Sequence, residues 1–379
     1  MASIVILGSA YPLRGGGLAT FNERLARALM SAGHKVCIYT FSLQYPSLLF
    51  PGKSQYSDEA PPKDLDIRVK VNSINPVNWI RTGNELRKLK PDVLIIRYWL
   101  PFMAPSLGLI AAITKKNKHT HIVAIADNIV PHEKRPGDTM LTRYFIKKPH
   151  TFVCMSETVR KDLLQLGFPD HRIRKTLHPL YDNFGDVVEQ ELARRGLGLA
   201  DEVHLVLFFG FIREYKGLDL LLRAFANKKV KKLPVRLLVA GEFYANADYY
   251  HSLADELNIN DHVIWHTNFI PNEKVKAYFC ASDMVAQPYK HATQSGVTQV
   301  AYHFEKPMLV TNVGGLPEMV EHGQAGYVVE PDSEAIAECI ADFFINERAK
   351  PMKAALIKAK KRFSWDRLVK SILESAKLQ

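Results

Sequence analysis

The sequence predicts an α/β chain with two parallel sheets, each covered by helices, and three observations carry that expectation. Apolar runs of strand length alternate with helical patterns through most of the 379 residues. Those runs are near-continuously apolar, as in strands buried on both faces. The alternation comes in two series, with a break near HPLYDNFGDVVEQ (178–190). A chain of this length exceeds one ordinary core and suits two domains. The expected organisation is two Rossmann-like domains, 1–185 and 186–360, followed by a helix over 361–379.

The first series opens on SIVILG (3–8), followed by a helix through LATFNERLARALMSAG, where Phe21, Leu25 and Leu29 recur at helical spacing. KVCIYTF, DVLIIRYW, HIVAIAD and TFVCMS follow, each leading into a polar turn or helix. The second series runs VHLVLFFG, VRLLVAG, VIWHT, DMVAQP, PMLVTN and GYVVEP, with helices such as GLDLLLRAFA and NEKVKAYFCAS between. VLIIRYWLPFMAPSLGLIAAI (93–113) is long enough to span a membrane and carries one charge, Arg97. Pro101 and Pro105 divide it, so a strand, a loop and a helix are expected instead.

Composition is that of a soluble globular protein, 47% hydrophobic and 23% charged, with no repeat period to suggest a solenoid. Cys37, Cys154, Cys280 and Cys339 lie in apolar surroundings and none forms a CxxC pair. Buried thiols in a reducing compartment are expected, with no zinc or disulfide framework. The opening MASIVILGSAYP lacks a basic n-region and reads as a first strand, not a signal peptide. Residues 1–185 hold 26 Lys/Arg against 14 Asp/Glu, whereas residues 186–379 hold 24 against 25. The first half thus carries the whole basic excess, as a face meeting anionic lipid or phosphate would, or as a solvated surface without a partner. No nucleic-acid module accompanies it.

In open parallel sheets ligands bind beyond the carboxyl ends of the strands, so the loops that follow strands are where chemistry is expected. In GSAYPLRGGGLATF, Gly15, Gly16 and Gly17 precede a helix and offer backbone N–H groups to an anion. This is not the GxGxxG dinucleotide fingerprint, and the following strand lacks the acid that holds a ribose, which disfavours a nicotinamide dehydrogenase. In FFGFIREYKGLDLLL, Arg213 and Lys216 stand between a strand and a helix start, a fork and a point charge that together suit a diphosphate. In HATQSGVTQ, Thr293, Ser295, Gly296 and Val297 offer hydroxyls and amides at another helix start. NVGGLPEMV places Gly314, Gly315 and Glu318 after the next strand. DNIVPHEKRPGD brings Asp127, His132 and Glu133 to a further strand-end loop, with a local hydrogen-bonded turn as the bland alternative.

With these loops in order, the chain resembles the family 4 glycosyltransferases, retaining enzymes of GT-B architecture. The glycine loop with LARALMSAGHKV, the stretch FFGFIREYKGLDLLLRAF and, most specifically, EKPMLVTNVGGLPEMVEHGQAGYVVEPDS carry the resemblance over nearly the whole chain. It implies two domains facing across a cleft, and a terminal helix, RFSWDRLVKSILESA, packed back on the first domain. It implies a nucleotide-diphosphate sugar donor on the second domain, a glycan or lipid-linked acceptor on the first, and no cofactor or obligatory metal. The base is expected near HTNFIPNEK, at Phe269 and Ile270. Catalytic roles fall to Asp127, His132, Arg213 and Lys216, with Gly15, Gly16, Gly17 and the 295–297 amides on the diphosphate.

The departures are specific. Where the family carries two glutamates eight positions apart, this chain has Ala292 and Val300; its loop arginine falls on Phe211, leaving Arg213 to substitute; its N-domain histidine falls on Asp127. Gln294 and Gln299 both donate and accept, and are the expected readers of donor hydroxyls in place of the glutamates. A protein that binds a nucleotide sugar or phosphorylated lipid without catalysis is the competing reading. The basic first half and the exposed-looking RYWLPFMAP (97–105) suggest an acceptor held at an anionic membrane, with the protein cytoplasmic and peripheral on its inner face.

Overall fold

The structure, a computed structural model, describes residues 1–46, 50, 54–131, 135–200, 202–244, 246–293 and 295–378. The chain divides into two compact units, Met1–Pro179 with Phe363–Gln379, and Leu180–Arg362. In the first unit the elements run β1 (Ser3–Leu7), α1 (Gly17–Ser31), β2 (Lys35–Leu43), β3 (Asp66–Asn72), α2 (Pro76–Leu89) and β4 (Val93–Tyr98). They continue with α3 (Ala104–Lys115), β5 (His121–Ala126), α4 (Asp138–Ile146), β6 (Thr151–Cys154), α5 (Glu157–Gln165) and β7 (Ile173–Lys175). Among the described residues these strands form a seven-stranded parallel sheet, ordered β3-β2-β1-β4-β5-β6-β7.

In the second unit they run α6 (Gln190–Gly196), β8 (His204–Phe209), α7 (Leu218–Ala226), α8 (Lys228–Lys231), β9 (Val235–Ala240), α9 (Ala247–Glu256), β10 (Val263–His266) and α10 (Asn272–Ala281). Then come β11 (Met284–Gln287), α11 (Gly296–His303), β12 (Met308–Thr311), α12 (Leu316–Met319), β13 (Gly326–Val329), α13 (Ser333–Ile345) and α14 (Ala349–Ala359). The sheet is six-stranded and parallel, ordered β10-β9-β8-β11-β12-β13. The last helix, α15 (Trp365–Ser375), belongs to the first unit. Ser364 caps it, accepting from the Asp366 and Arg367 amides. Buried Trp365 lies 5.0 Å from the Phe21 ring of α1, with the Arg24 guanidinium 4.9 Å over its own ring. The two Rossmann-like folds and the returning helix are therefore as expected.

Central strands such as β4 and β5 are buried over almost every residue, which is why their apolar runs are continuous. Both edges of the first sheet differ. DIRVKVN (β3) and IRK (β7) are polar and largely exposed, and so escape a search for apolar runs.

One expectation is corrected. RYWLPFMAP is not exposed: Arg97, Tyr98, Trp99, Pro101, Met103 and Ala104 are all buried. Tyr98 stacks on Phe145 at 4.1 Å, and the Trp99 indole donates to the Tyr45 hydroxyl at 2.7 Å. The two prolines start a short 3-10 turn and then α3, which folds the aromatic side chains into the core. Among the described residues no helix is long and apolar enough to cross a membrane.

Candidate functional site

From β8 the second unit builds outward through β9 and β10 on one side and through β11, β12 and β13 on the other. Strand order reverses at the carboxyl ends of β8 and β11, the place where such sheets bind ligands. Leaving β8, the chain passes Gly210 at φ 99, takes one 3-10 turn over Glu214–Lys216, and enters α7 through Gly217 at φ 68. A Cβ at Gly217 would lie 1.9 Å from the Pro288 carbonyl oxygen, so glycine is demanded twice, by torsion and by contact. The loop after β11 is fastened to this turn: the Lys290 amide donates to Tyr215 O at 2.7 Å, and the Lys290 ammonium pairs with Asp219 at 2.8 Å.

This turn carries both predicted cations. The Lys216 ammonium lies in the space that glycine leaves at position 210, where a Cβ would stand 3.2 Å away, and 5.7 Å over the ring of buried Tyr289. Burial, then repulsion from the Arg213 charge, draws its pKa down to about 7. The Arg213 guanidinium lies 5.3 Å over the Tyr244 ring. Among the described residues neither cation is paired with a carboxylate. Two neighbouring basic groups, one of them desolvated and neither paired with a carboxylate among the described residues, are arranged as an anion would require.

The remaining loops close around it. The Tyr289 and Ser295 hydroxyls share a 3.3 Å hydrogen bond, and Ser295 stands as N-cap of α11 without capping it. Thr293 O accepts from the Gly315 amide at 3.0 Å, and a Cβ at Gly314 would lie 1.7 Å from Ala292 O, binding the loops after β11 and β12 to each other. At Gly296 the close neighbour is protein: the Tyr181 ring would be 2.8 Å from a Cβ there. Val297 is half-buried beside it, and Glu318 is exposed on α12. Gln299 is fully buried, its amide nitrogen 3.2 Å from Met319 Sδ and its Oε1 without a partner among the described residues. Half-buried Phe269 lies in the loop after β10 with its ring centroid 6.4 Å from that of Phe211, and Ile270, also half-buried, follows. Gln294 lies outside the described residues. Val300, at one family-glutamate position, is buried, and Ala292, at the other, is half-buried.

In the first unit, Gly15, Gly16 and Gly17 follow β1 and open α1. Gly16 takes φ 150 in open space, but its N–H already donates to Thr20 Oγ1 at 3.2 Å. Asp127 directly follows β5, and both its oxygens are engaged by Arg97 of β4, Oδ2 accepting from Nε at 2.6 Å and Oδ1 from Nη2. The guanidinium lies 3.7 Å over the Phe21 ring, and its Nη1 has no partner among the described residues. His178 sits edge-on to the same ring, its pKa lowered to about 3 chiefly by burial and further by Arg97. His132 and Glu133 fall outside the described residues. Sequence reasoning passed over Arg97 as a partner of Asp127, although an arginine inside an otherwise apolar strand was a signal that something buried must pair with it. Tyr289, Tyr244 and Tyr181 left no such signal, because aromatic loop residues are common. Among the described residues no group of three or more His, Cys, Asp or Glu is placed to hold a metal ion.

The two parallel sheets define a chain of two Rossmann-like units, and comparison with known proteins places it among glycosyltransferases. A model for glycosyl transferases group 1 matches residues 189–363, and one for glycosyltransferase family 4 matches residues 15–175. The chain belongs to the family 4 glycosyltransferases. It is 32% identical over 232 residues to a D-inositol 3-phosphate glycosyltransferase of Mycolicibacterium smegmatis, covering 58% of this chain and 51% of that protein. The Mycobacterium marinum enzyme of the same name is 31% identical over 268 residues, covering 66% and 54%. The chain spans about half the length of such curated relatives. In fold it is similar to Anabaena HepE, solved in complex with UDP and glucose, at TM-score 0.73 and 15% identity over 100% of both chains. A Rickettsia africae glycosyltransferase aligns at TM-score 0.74 and 18% identity, over 99% of this chain and 98% of that one.

Proposed function

We propose that this protein moves a glycosyl group from a nucleotide-diphosphate sugar to an acceptor hydroxyl with retention of anomeric configuration and without a metal. The observation that carries the reading is the Arg213–Lys216 pair, two cations without a carboxylate on the strand-to-helix turn at the switch point of the second sheet. HepE, a structural neighbour, is solved with UDP and with UDP-glucose, which supports a nucleoside diphosphate as the anion. Catalysis is then mostly electrostatic: the two cations stabilise the charge that develops on the departing diphosphate as the glycosidic bond lengthens. The acceptor hydroxyl attacks from the face the diphosphate leaves, and a phosphate oxygen takes its proton. No paired carboxylates are needed, unlike in a glycoside hydrolase.

The acceptor is a glycan or a lipid-linked, anionic molecule, as in polysaccharide assembly on the cytoplasmic side of a membrane. The basic excess of residues 1–185 favours a negatively charged acceptor, and the relatives named for D-inositol 3-phosphate fit that charge. A panel of UDP, GDP and ADP in thermal unfolding, followed by donor hydrolysis and transfer assays with the sugar of the best nucleotide, tests the proposal. A raised melting temperature is expected for one nucleotide, since a ligand of the native state alone adds stability. Binding without any turnover would leave a non-catalytic binder; no binding by any of the three would overturn the reading.

A further inference from the structure

In the loop that leaves β8, one residue, Ile212, separates Phe211 from Arg213. Beyond β8 and β9 the two loops continue as a parallel ladder. The Gly210 amide donates to Ala240 O at 2.9 Å, Ile212 to Glu242 O at 2.9 Å, and Tyr244 to Ile212 O at 2.8 Å. The backbones run so close that a Cβ at Gly241, at φ 143, would be 2.3 Å from Gly210 O. In an extended segment alternate side chains share a face. Ile212 accordingly turns into the core, fully buried, while Phe211 and Arg213 share the other face. There the Tyr244 ring stacks on Phe211 at 4.3 Å with 26° between planes and also lies under the Arg213 guanidinium. Phe211 in turn faces Phe269 at 28°.

Beside Lys216, the Arg213 side chain has no carboxylate partner among the described residues to fix it before an anion arrives. A flexible arginine forfeits rotamer entropy on being ordered. An aromatic face offsets part of that in advance. We propose that Tyr244, held by Phe211, is a positioning residue that orients the Arg213 guanidinium toward the diphosphate. The inference rests on the reading that Arg213 and Lys216 grip a diphosphate.

The test is a double-mutant cycle read by calorimetry, with the best nucleotide of UDP, GDP and ADP and with inorganic pyrophosphate as ligands. Tyr244→Ala is expected to weaken both ligands by roughly 2- to 5-fold, the weight of one guanidinium–aromatic contact. Tyr244→Phe should bind as wild type, and Tyr244→Ala should cost nothing further in an Arg213→Ala background. A loss confined to the nucleotide and absent with pyrophosphate would mean that Tyr244 stacks on the base, and would overturn the positioning role. An equal loss in the Arg213→Ala background would overturn it too. If neither Arg213→Ala nor Lys216→Ala weakens either ligand, the diphosphate reading itself fails, and the inference with it.

Discussion

At pH 7 the Lys216 amine, drawn down to about 7 by burial and by Arg213, is divided between its charged and neutral forms. A bound diphosphate favours the ammonium, so nucleotide affinity should fall as pH rises from 6 to 9, and binding near neutrality should take up a proton. Calorimetry in two buffers of different ionisation heat reads that uptake directly. Lys216→Ala should flatten the pH profile and lower turnover by about two orders of magnitude or more, the loss of one anion-stabilising donor; turnover at the wild-type rate would remove the residue from the mechanism. Asp127 has a different expected signature. Its loss leaves Arg97 buried and unpaired, so Asp127→Ala should cost about 3–5 kcal/mol in urea unfolding. Unchanged stability with a raised donor KM would instead make it a substrate contact. Lys216 and Arg213 were legible because strand, glycine, cations and glycine are contiguous. The Arg97–Asp127 pair was not, because its members are thirty residues apart and meet only through β4–β5 pairing.

The turns can be probed through two glycines, Gly217 between β8 and α7 and Gly167 just beyond α5. Gly217 and Gly167 both hold positive φ, 68 and 85, but only Gly217 has a carbonyl oxygen where a Cβ would go. Gly167→Ala should therefore cost about 1 kcal/mol, the torsional penalty alone. Gly217→Ala should cost about 2 kcal/mol or more, because the loop after β11 must move as well, and it should weaken nucleotide binding where Gly167→Ala does not. Equal shifts of the urea midpoints would refute the packing account. Most central strands could be read from the sequence because burial on both faces writes an unbroken apolar run. β3 and β7 could not, since an edge strand facing water needs no such run. Gln299 illustrates a third limit: sequence places it on α11 but not which way it faces, and it faces inward.

Across the whole molecule, charge separates the two halves of the sequence. An acceptor held on anionic lipid would be met by the basic first half, and binding to phosphatidylserine vesicles should then weaken as salt shortens the screening length below about 10 Å. Protein that stays wholly in the supernatant at low salt would remove the membrane from the account. The units divide between Pro179 and Leu180, within the stretch where the strand–helix alternation of the sequence pauses. The turn of the chain at Phe363 back into the first unit followed from the resemblance of its last helix to a family element, since no local pattern states what a helix packs against.

That return makes the second unit an insertion within the first. The first unit is complete only when α15 brings Trp365 against Phe21, after residues 180–362 have been made. The first unit would then mature after the second, the reverse of the order in which the ribosome begins them.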